Sequence, residues 1–312
     1  MGICAYNEGM NIGRLLNNIL YKQGLPAKSE VLVVCSGCTD NTTEIVQKYA
    51  KEDARVRLYI EKERRGKASA VNHILLNAEG DIIIFIPADV LPHQKCFSKL
   101  ISKLRDSNVG IVCGKPVPTN SPNSLIGKMV QLLWRFHDHV FIELDDAGLA
   151  RHASEIFCIR KGIVDKIPTE TVNDDAYLAV TAKKRELLVR YEPEACVSIC
   201  GPKTLLDYFK QRRRIIFGHY QVRKLTGKPT QYIPHLMPLY PSKVLKLMLW
   251  LCAEWDIPTF LAFILVEFAV NIVAMIDSIS GKSHVQWSIS TSTKTATTES
   301  NFVPQQKKGL AN

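Results

Sequence analysis

An α/β fold built on a mostly parallel central sheet, followed by one C-terminal transmembrane helix, is what this sequence predicts, on three observations. Short apolar runs rich in β-branched residues alternate through residues 1–114 with amphipathic stretches of helical length, the pattern of parallel strands joined by right-handed crossovers. One run, Asp81–Pro92 (Asp-Ile-Ile-Ile-Phe-Ile-Pro-Ala-Asp-Val-Leu-Pro), starts as a strand buried on both faces and then presents a single carboxylate, Asp89. Ligands of open α/β sheets sit just past the carboxyl ends of strands, so Asp89 either holds a divalent cation against a phosphate or simply starts a turn before Pro92. The third observation is Ile257–Ile276, almost unbroken in apolar character and, at about 1.5 Å per residue, about 30 Å long, the thickness of a bilayer core.

The elements follow in order. Gly2-Ile3-Cys4-Ala5 looks like the tail of a strand, cut short or preceded by residues not present here. After the polar turn Tyr6-Asn7-Glu8-Gly9, Asn11 signals a helix whose Ile12, Leu15, Leu16, Ile19 and Leu20 recur at helical spacing. Glu30–Cys35 is the next strand, the loop Ser36–Asn41 follows, and a helix starts near Thr42 with Glu44 placed three residues after Asn41. Val56–Ile60 is a strand, and Ala70, Val71, Ile74, Leu75 and Ala78 mark a helix after the basic loop ending at Lys67. Gly110–Cys113 is a further strand. Ser124–Leu144 reads as a long helix and Glu155–Arg160 as a short strand, with two more strands at Leu187–Tyr191 and Ala195–Ile199. Asn173–Val180 is a capped helix start, and Pro202 to about Leu225 a strongly basic helix.

Composition narrows the function. The chain has 312 residues with formal net charge +10, which suits an anionic partner such as a nucleotide or an acidic membrane. Aromatic residues make up 8% and form no basic–aromatic stripe, so nucleic acid is not the expected partner. Nine scattered cysteines, an odd number, indicate a reducing compartment. Cys35 and Cys38 form a C-x-x-C, but the loose spacing of Cys196/Cys200 and the lack of a nearby histidine argue against a zinc site uniting the pairs. Glu267 and Asn271 count against the membrane span, the alternative being a buried core helix, yet a span is expected; Val244–Ala253 is too short to cross and is read as interfacial.

Six segments taken together resemble the family 2 glycosyltransferases over most of residues 1–220. They are Cys4-Ala5-Tyr6-Asn7-Glu8, Ser36–Thr42, Arg65–Asn72, Pro87-Ala88-Asp89-Val90, Asn173-Asp174-Asp175-Ala176 and Gln211-Arg212-Arg213-Arg214-Ile215. The resemblance implies a GT-A, Rossmann-like fold that binds a nucleotide-diphosphate sugar. It assigns Ala5, Tyr6 and Glu8 to the nucleotide and the Ser36 and Asp40 positions to base and ribose, with Ser36 where the family commonly has Asp. Asp40 read by itself serves equally well as a helix cap. Lys67, Gln211 and Arg214 join the substrate-binding set, Arg214 by matching phosphate oxygens.

Asp89 matches the last acid of the family's D-x-D motif, expected to bind Mn²⁺ or Mg²⁺, while Pro87 replaces the first acid. Asp175 matches the general base, with Asp174 as the alternative; the plain reading of both is acids favoured at a helix N-terminus. Ile215 stands where the family usually has Trp. Arg212 and Arg213 are read as a basic face resting on anionic lipid headgroups.

The implied layout is a glycosyltransferase domain over 1–225 (nucleotide-binding half 1–114, acceptor and catalytic half 115–225), an interfacial segment 226–256, a transmembrane helix 257–276 and a disordered Ser/Thr-rich tail 280–312. The implied activity is inverting transfer to a polyprenyl phosphate, a lipid-linked glycan or a growing polysaccharide near the membrane. Lys and Arg between 203 and 246 favour the cytoplasmic face. The substitutions at 36, 87 and 215 leave a catalytically degenerate nucleotide-sugar-binding or scaffold protein as the alternative. A sugar nucleotidyltransferase would need a glycine-rich loop after the first strand, which is lacking.

Overall fold

The computed structural model describes residues 1–253, 255–286 and 293. Its centre is an eight-stranded mixed sheet. Strands β1 (Gly2–Ala5), β2 (Val31–Ser36), β3 (Val56–Glu61) and β4 (Ile82–Pro87) lie side by side in the order β3-β2-β1-β4, all parallel. Helices α1 (Ile12–Lys22), α2 (Thr42–Glu52) and α3 (Lys67–Asn77) make the crossovers. Alternation along the strands splits the core in two. Ile3, Val31, Val33, Ile84 and Ile86 meet α1 and α2 on one face, whereas Leu32, Val34, Ile83 and Phe85 meet α3 on the other. A strand covered on both sides must be apolar at every position, which is why β2 and β4 read as unbroken runs.

The parallel run stops at β4. Its outer neighbour is β7 (Phe157–Arg160), antiparallel, with Ile82 opposite Arg160 and Phe85 opposite Phe157. β7 in turn pairs antiparallel with β6 (Val109–Pro118), reached from β4 through β5 (Leu91–Pro92) and helix α4 (Cys96–Lys103). The two strands expected at Leu187–Tyr191 and Ala195–Ile199 are one, β8 (Leu188–Ile199), parallel to β6. Its partner register jumps from Gly114↔Glu192 to Lys115↔Cys196. Pro193 lies in that jump; it has no amide to give the ladder, so the strand bulges instead of ending. β5 closes the edge by pairing with Val197 and Ser198, which anchors the backbone just after Asp89.

Helix α5 (Leu125–Asp146) starts at Ser124, whose side chain accepts from the Gly127 amide. Helix α6 (Asp174–Lys184) opens with both acids in its first turn, and α7 (Leu205–Thr226) is capped by Thr204. Helices α8 (Ile233–Leu236) and α9 (Pro241–Ala253) pack on α5 through Leu236, Val244 and Leu247 against Val140 and Leu144. Cys35 on β2 and Cys196 on β8 are five strand spacings apart, about 24 Å, so the two cysteine pairs cannot share a zinc ion.

Helix α10 (Ile257–Ser280) is the expected apolar C-terminal helix, and its contacts correct one expectation. It is long and apolar enough to cross a membrane, but it does not stand apart from the domain. Thr259, Phe263, Val270, Ala274 and Asp277 are buried along one stripe of its length. Phe263 packs against Met129 and Tyr208, and Val270 and Ala274 against Ile216 and Phe217 of α7. The polar residues that counted against a span are the ones that dock it. Arg212 Nε and Nη2 donate to the two Glu267 oxygens at 2.8 Å each, and the Tyr208 hydroxyl donates to the same carboxylate at 2.8 Å. Tyr220 donates to Asn271 at 2.8 Å, and Arg213 forms a fork with Asp277 at 2.5 and 2.6 Å. Arg212 and Arg213 are therefore intramolecular anchors and not a headgroup-facing surface. Of the expected tail, residues 281–286 and 293 are described, and the rest lies outside the described residues.

Removing one partner of a buried ion pair leaves the other charge uncompensated. Glu267→Ala is expected to lower stability by about 3 kcal/mol in chemical unfolding in detergent micelles, and Arg212→Met combined with Glu267→Leu to recover most of that loss.

Candidate active site

The carboxyl ends of β1, β2 and β4 open into a cavity of about 520 Å³. Ala5, Tyr6, Glu8, Ser36, Lys67, Asp89, Gln211 and Arg214 all line it, so eight of the expected residues from five separate stretches converge. Tyr6 carries the Arg64 guanidinium over its ring at 4.1 Å, a flat platform of the kind a base can extend. Gly66, with φ 89°, lets the chain turn sharply enough that Lys67 begins α3 facing the cavity.

Asp40 is the exception. Its Oδ1 accepts from the Thr42 amide at 3.0 Å and the Thr42 hydroxyl, while Oδ2 accepts from the Gly9 amide at 3.0 Å. These bonds tie Asp40 to Gly9 and to the first residue of α2, whose N-cap is Asn41, and Asp40 does not line the cavity. Partial burial opposes its charge, but the Thr42 and Gly9 bonds outweigh this and hold its carboxyl below the usual range.

A second cavity of about 450 Å³ lies between α5, α6, α7, α9 and α10, and shares Lys67, Trp134, Glu155, Gln211 and Arg214 with the first. Asp174 and Asp175 line this second cavity. They differ in their bonds. Asp174 is buried and paired with Lys67 at 3.0 Å, whereas Asp175 accepts from the Ala176 amide at 2.7 Å and approaches His152 Nε2 at 3.3 Å. Burial, reinforced by the charge of Asp174, raises Asp175 to about 7 against the opposing pull of Lys67. Burial lowers His152 to about 4, so a proton shared by this pair rests on the carboxyl. Burial works against the Lys67 charge, but Asp174, Asp175 and Glu155 together hold its proton more tightly than usual. The far wall is apolar, with Phe136, Val140, Met248, Leu251, Phe263 and Phe268.

The family model for glycosyl transferase family 2 matches residues 1–167, more than half of the chain. The chain belongs to glycosyl transferase family 2. Among curated relatives, this family 2 transferase is 26% identical over 226 residues to a poly-beta-1,6-N-acetyl-D-glucosamine synthase of Staphylococcus aureus, which spans 70% of the present chain and 54% of that protein. The chain therefore covers about half the length of that relative. It is 32% identical over 112 residues to the glycosyltransferase AglE of Haloferax volcanii, covering 36% and 37% of the two chains. Among solved structures, the mannosyltransferase PcManGT from Pyrobaculum calidifontis, in complex with GDP-Man and Mn²⁺, superposes with a TM-score of 0.67 at 22% identity, over 90% of this chain and 86% of that one. TarS of S. aureus in complex with UDP-GlcNAc gives 0.50 at 14% identity, over 90% and 91%. Both share the GT-A fold with this transferase.

Several residues of the site carry no pattern a sequence could display. His137, His152 and His219 gather from α5, the β7 approach and α7, with ring centroids of His152 and His219 5.4 Å apart. Glu155 lines both cavities. Lys282, Ser283, His284 and Gln286 line the first cavity, and the Gln286 side chain donates to the Arg64 carbonyl. None of these lies in a recurring motif, and only the folded chain brings them to the strand ends.

Asp40→Ala is expected to cost about 1 kcal/mol of stability through the lost bonds to Gly9 and Thr42 while changing donor affinity less than about threefold, read by thermal unfolding and by titration with GDP and UDP.

Proposed function

We propose that the chain moves a sugar, with inversion, from a nucleotide-diphosphate sugar in the first cavity to a lipid-linked acceptor in the second. One observation carries this reading: two cavities of complementary character meet over a shared set of charges, with Asp175 on the acceptor side. The Lys67 and Arg214 side chains are cationic donors suited to the diphosphate, and Tyr6 with Arg64 offers a surface for the base. The oxygen-only donor set at Asp89 fits Mn²⁺ or Mg²⁺, which when bound would neutralise charge on the departing nucleoside diphosphate.

The acceptor oxygen would attack the anomeric carbon from the second cavity as the bond to the diphosphate oxygen breaks, giving inversion. A hydroxyl acceptor would pass its proton to Asp175, whose raised pKa suits a base working near neutrality. Gln211 and Arg214, one helical turn apart on α7, would hold the leaving group. A phosphate-bearing acceptor would use Asp175 less as a base than as an orienting group for its protonated oxygen.

Support for a lipid acceptor comes from the helices that wall the second cavity. α10 buries its polar stripe and turns Leu261, Leu265, Phe268, Ile272 and Ile276 outward, and α9 adds exposed Leu245 and Leu249. An apolar face of this extent suits the interfacial zone of a bilayer. Because α10 is held along its length to α7, the reading is of a helix that seats the domain on the membrane, and the basic residues between 203 and 246 favour the cytoplasmic leaflet.

The assay is transfer of labelled sugar from a GDP- and UDP-sugar panel, with Mn²⁺, to a lipid-linked glycan bearing a free hydroxyl in phosphatidylglycerol-containing vesicles. Asp175→Asn should lower kcat by about 10²–10⁴-fold with nucleoside diphosphate binding unchanged. Wild-type activity in that variant would remove Asp175 from the chemistry.

The pH profile gives a second test. Asp175 accepts a proton only when ionised, so kcat/KM should rise with pH and level off above about 7. Asp174→Asn removes a charge that raises this pKa and frees Lys67 to lower it, so the acid limb should move to lower pH by about one unit. An unmoved limb would assign the ionisation to another group.

A further inference from the structure

The D-x-D position of this chain lacks its first acid: Pro87 stands there, and Asp89 is the one carboxylate of the motif. The antiparallel pairing of β4 with β7 brings another. The last ladder pair is Phe85 opposite Phe157, whose rings stack at 5.1 Å on the face that carries α3. Pro87 lies two residues past Phe85 on β4 and Glu155 two residues before Phe157, so both leave the paired strands at the same end of the sheet, and Glu155 is close enough to Asp89 to feel its charge. The neighbouring Ile156 keeps this stretch in place through the bond from the Gly114 amide to its carbonyl at 2.8 Å. Glu155, Pro87 and Asp89 all line the first cavity.

We propose that Glu155 supplies the second carboxylate of the divalent-cation site, in place of the acid missing at position 87. This rests on the reading of Asp89 as a metal ligand. Chemistry and charge agree with it. Glu155 forms no hydrogen bond or ion pair with the described residues, so its oxygens remain available to the cavity. Lys67 and Arg214 are its cationic neighbours, and Asp89 and Asp175 its anionic ones. Four carboxylates, those of Asp89, Glu155, Asp174 and Asp175, thus share this floor with two side-chain cations. The carboxylates outnumber the two cations that face them, and a divalent cation would offset that excess. Two carboxylates, with phosphate oxygens and water, make a fuller shell for a hard cation than one. Among the described residues no group of three His, Cys, Asp or Glu forms a ready cluster, so the site needs donor phosphates to be complete.

The alternative is a Glu155 that only balances Lys67 and Arg214. The experiment separates the two by Mn²⁺ binding, read from loss of the free-ion electron paramagnetic resonance signal, with GDP or UDP present and no turnover. Asp89→Asn should abolish binding. Glu155→Gln, checked for an unchanged melting temperature, should weaken it about tenfold or more, and Pro87→Asp added to Glu155→Gln should restore it. Wild-type affinity in Glu155→Gln with binding lost in Asp89→Asn overturns the role of Glu155 alone. Wild-type affinity in both overturns the Asp89 site as well. If Pro87→Asp leaves the Glu155→Gln defect unrepaired, the two positions do not share one role and the proposal fails.

Discussion

Everything in this site depends on keeping like charges together where water is scarce. Asp89, Glu155, Asp174 and Asp175 all feel Lys67, and three of them are pushed up in pKa by burial. Lys67 can hold that position because it starts a helix at the end of a buried strand–loop unit. Its charge is thereby delivered by backbone geometry and not by a flexible loop. Arg214 answers it from α7 on the far side, where burial makes its charge costly and the same carboxylates offset that cost. Take away either cation and the excess negative charge at the strand ends has no internal remedy except protonation.

The position of Arg214 links the C-terminal helices to the first cavity. α7 has neighbouring arginines with separate tasks. Arg214 faces the cavities, while Arg212 and Arg213 tie Glu267 and Asp277 of α10. A helix turns about 100° per residue, so three consecutive arginines necessarily point three ways. Here each direction is used. α10 fixes the rotation of α7, and through it the reach of Arg214. The helix that presents apolar residues to the outside therefore also tensions the site, and detaching it would disturb chemistry as well as location.

Much of the fold was legible because buried parallel strands must be apolar throughout and their crossover helices amphipathic. Val31–Cys35, Asp81–Ile86 and the heptad-like spacing of Ile12, Leu15, Leu16 and Ile19 carried that information openly. The lining of the first cavity was legible for the same reason: most of its residues sit on loops whose positions follow from the strands. The misses share one cause, which is dependence on distant partners. Glu267 and Asn271 looked like burdens on a span because Arg212 and Tyr220, their partners, lie more than fifty residues away. Asp40 is polar in either role, and only the Gly9 amide decides between them. The histidines around Asp175 come from three elements with no spacing in common.

Glu155 belongs to this last group and shows why motif reading has a limit. A motif records adjacency along the chain, but a ligand meets adjacency in space. Inserting an antiparallel strand beside β4 gives each residue at the end of that strand a second neighbour, drawn from a segment about seventy residues later. An acid lost from one strand can then be supplied by the other with no change in the charge presented to the cavity. Because Glu155, Lys67 and Arg214 also border the second cavity, charge arriving in the first alters the field at Asp175. A diphosphate neutralising the two cations removes their depressing effect on that carboxyl, and a cation at Asp89 and Glu155 opposes the change. An anion and a cation arriving together can therefore leave the balance at the Asp175 carboxyl nearly unchanged, where either one alone would displace it.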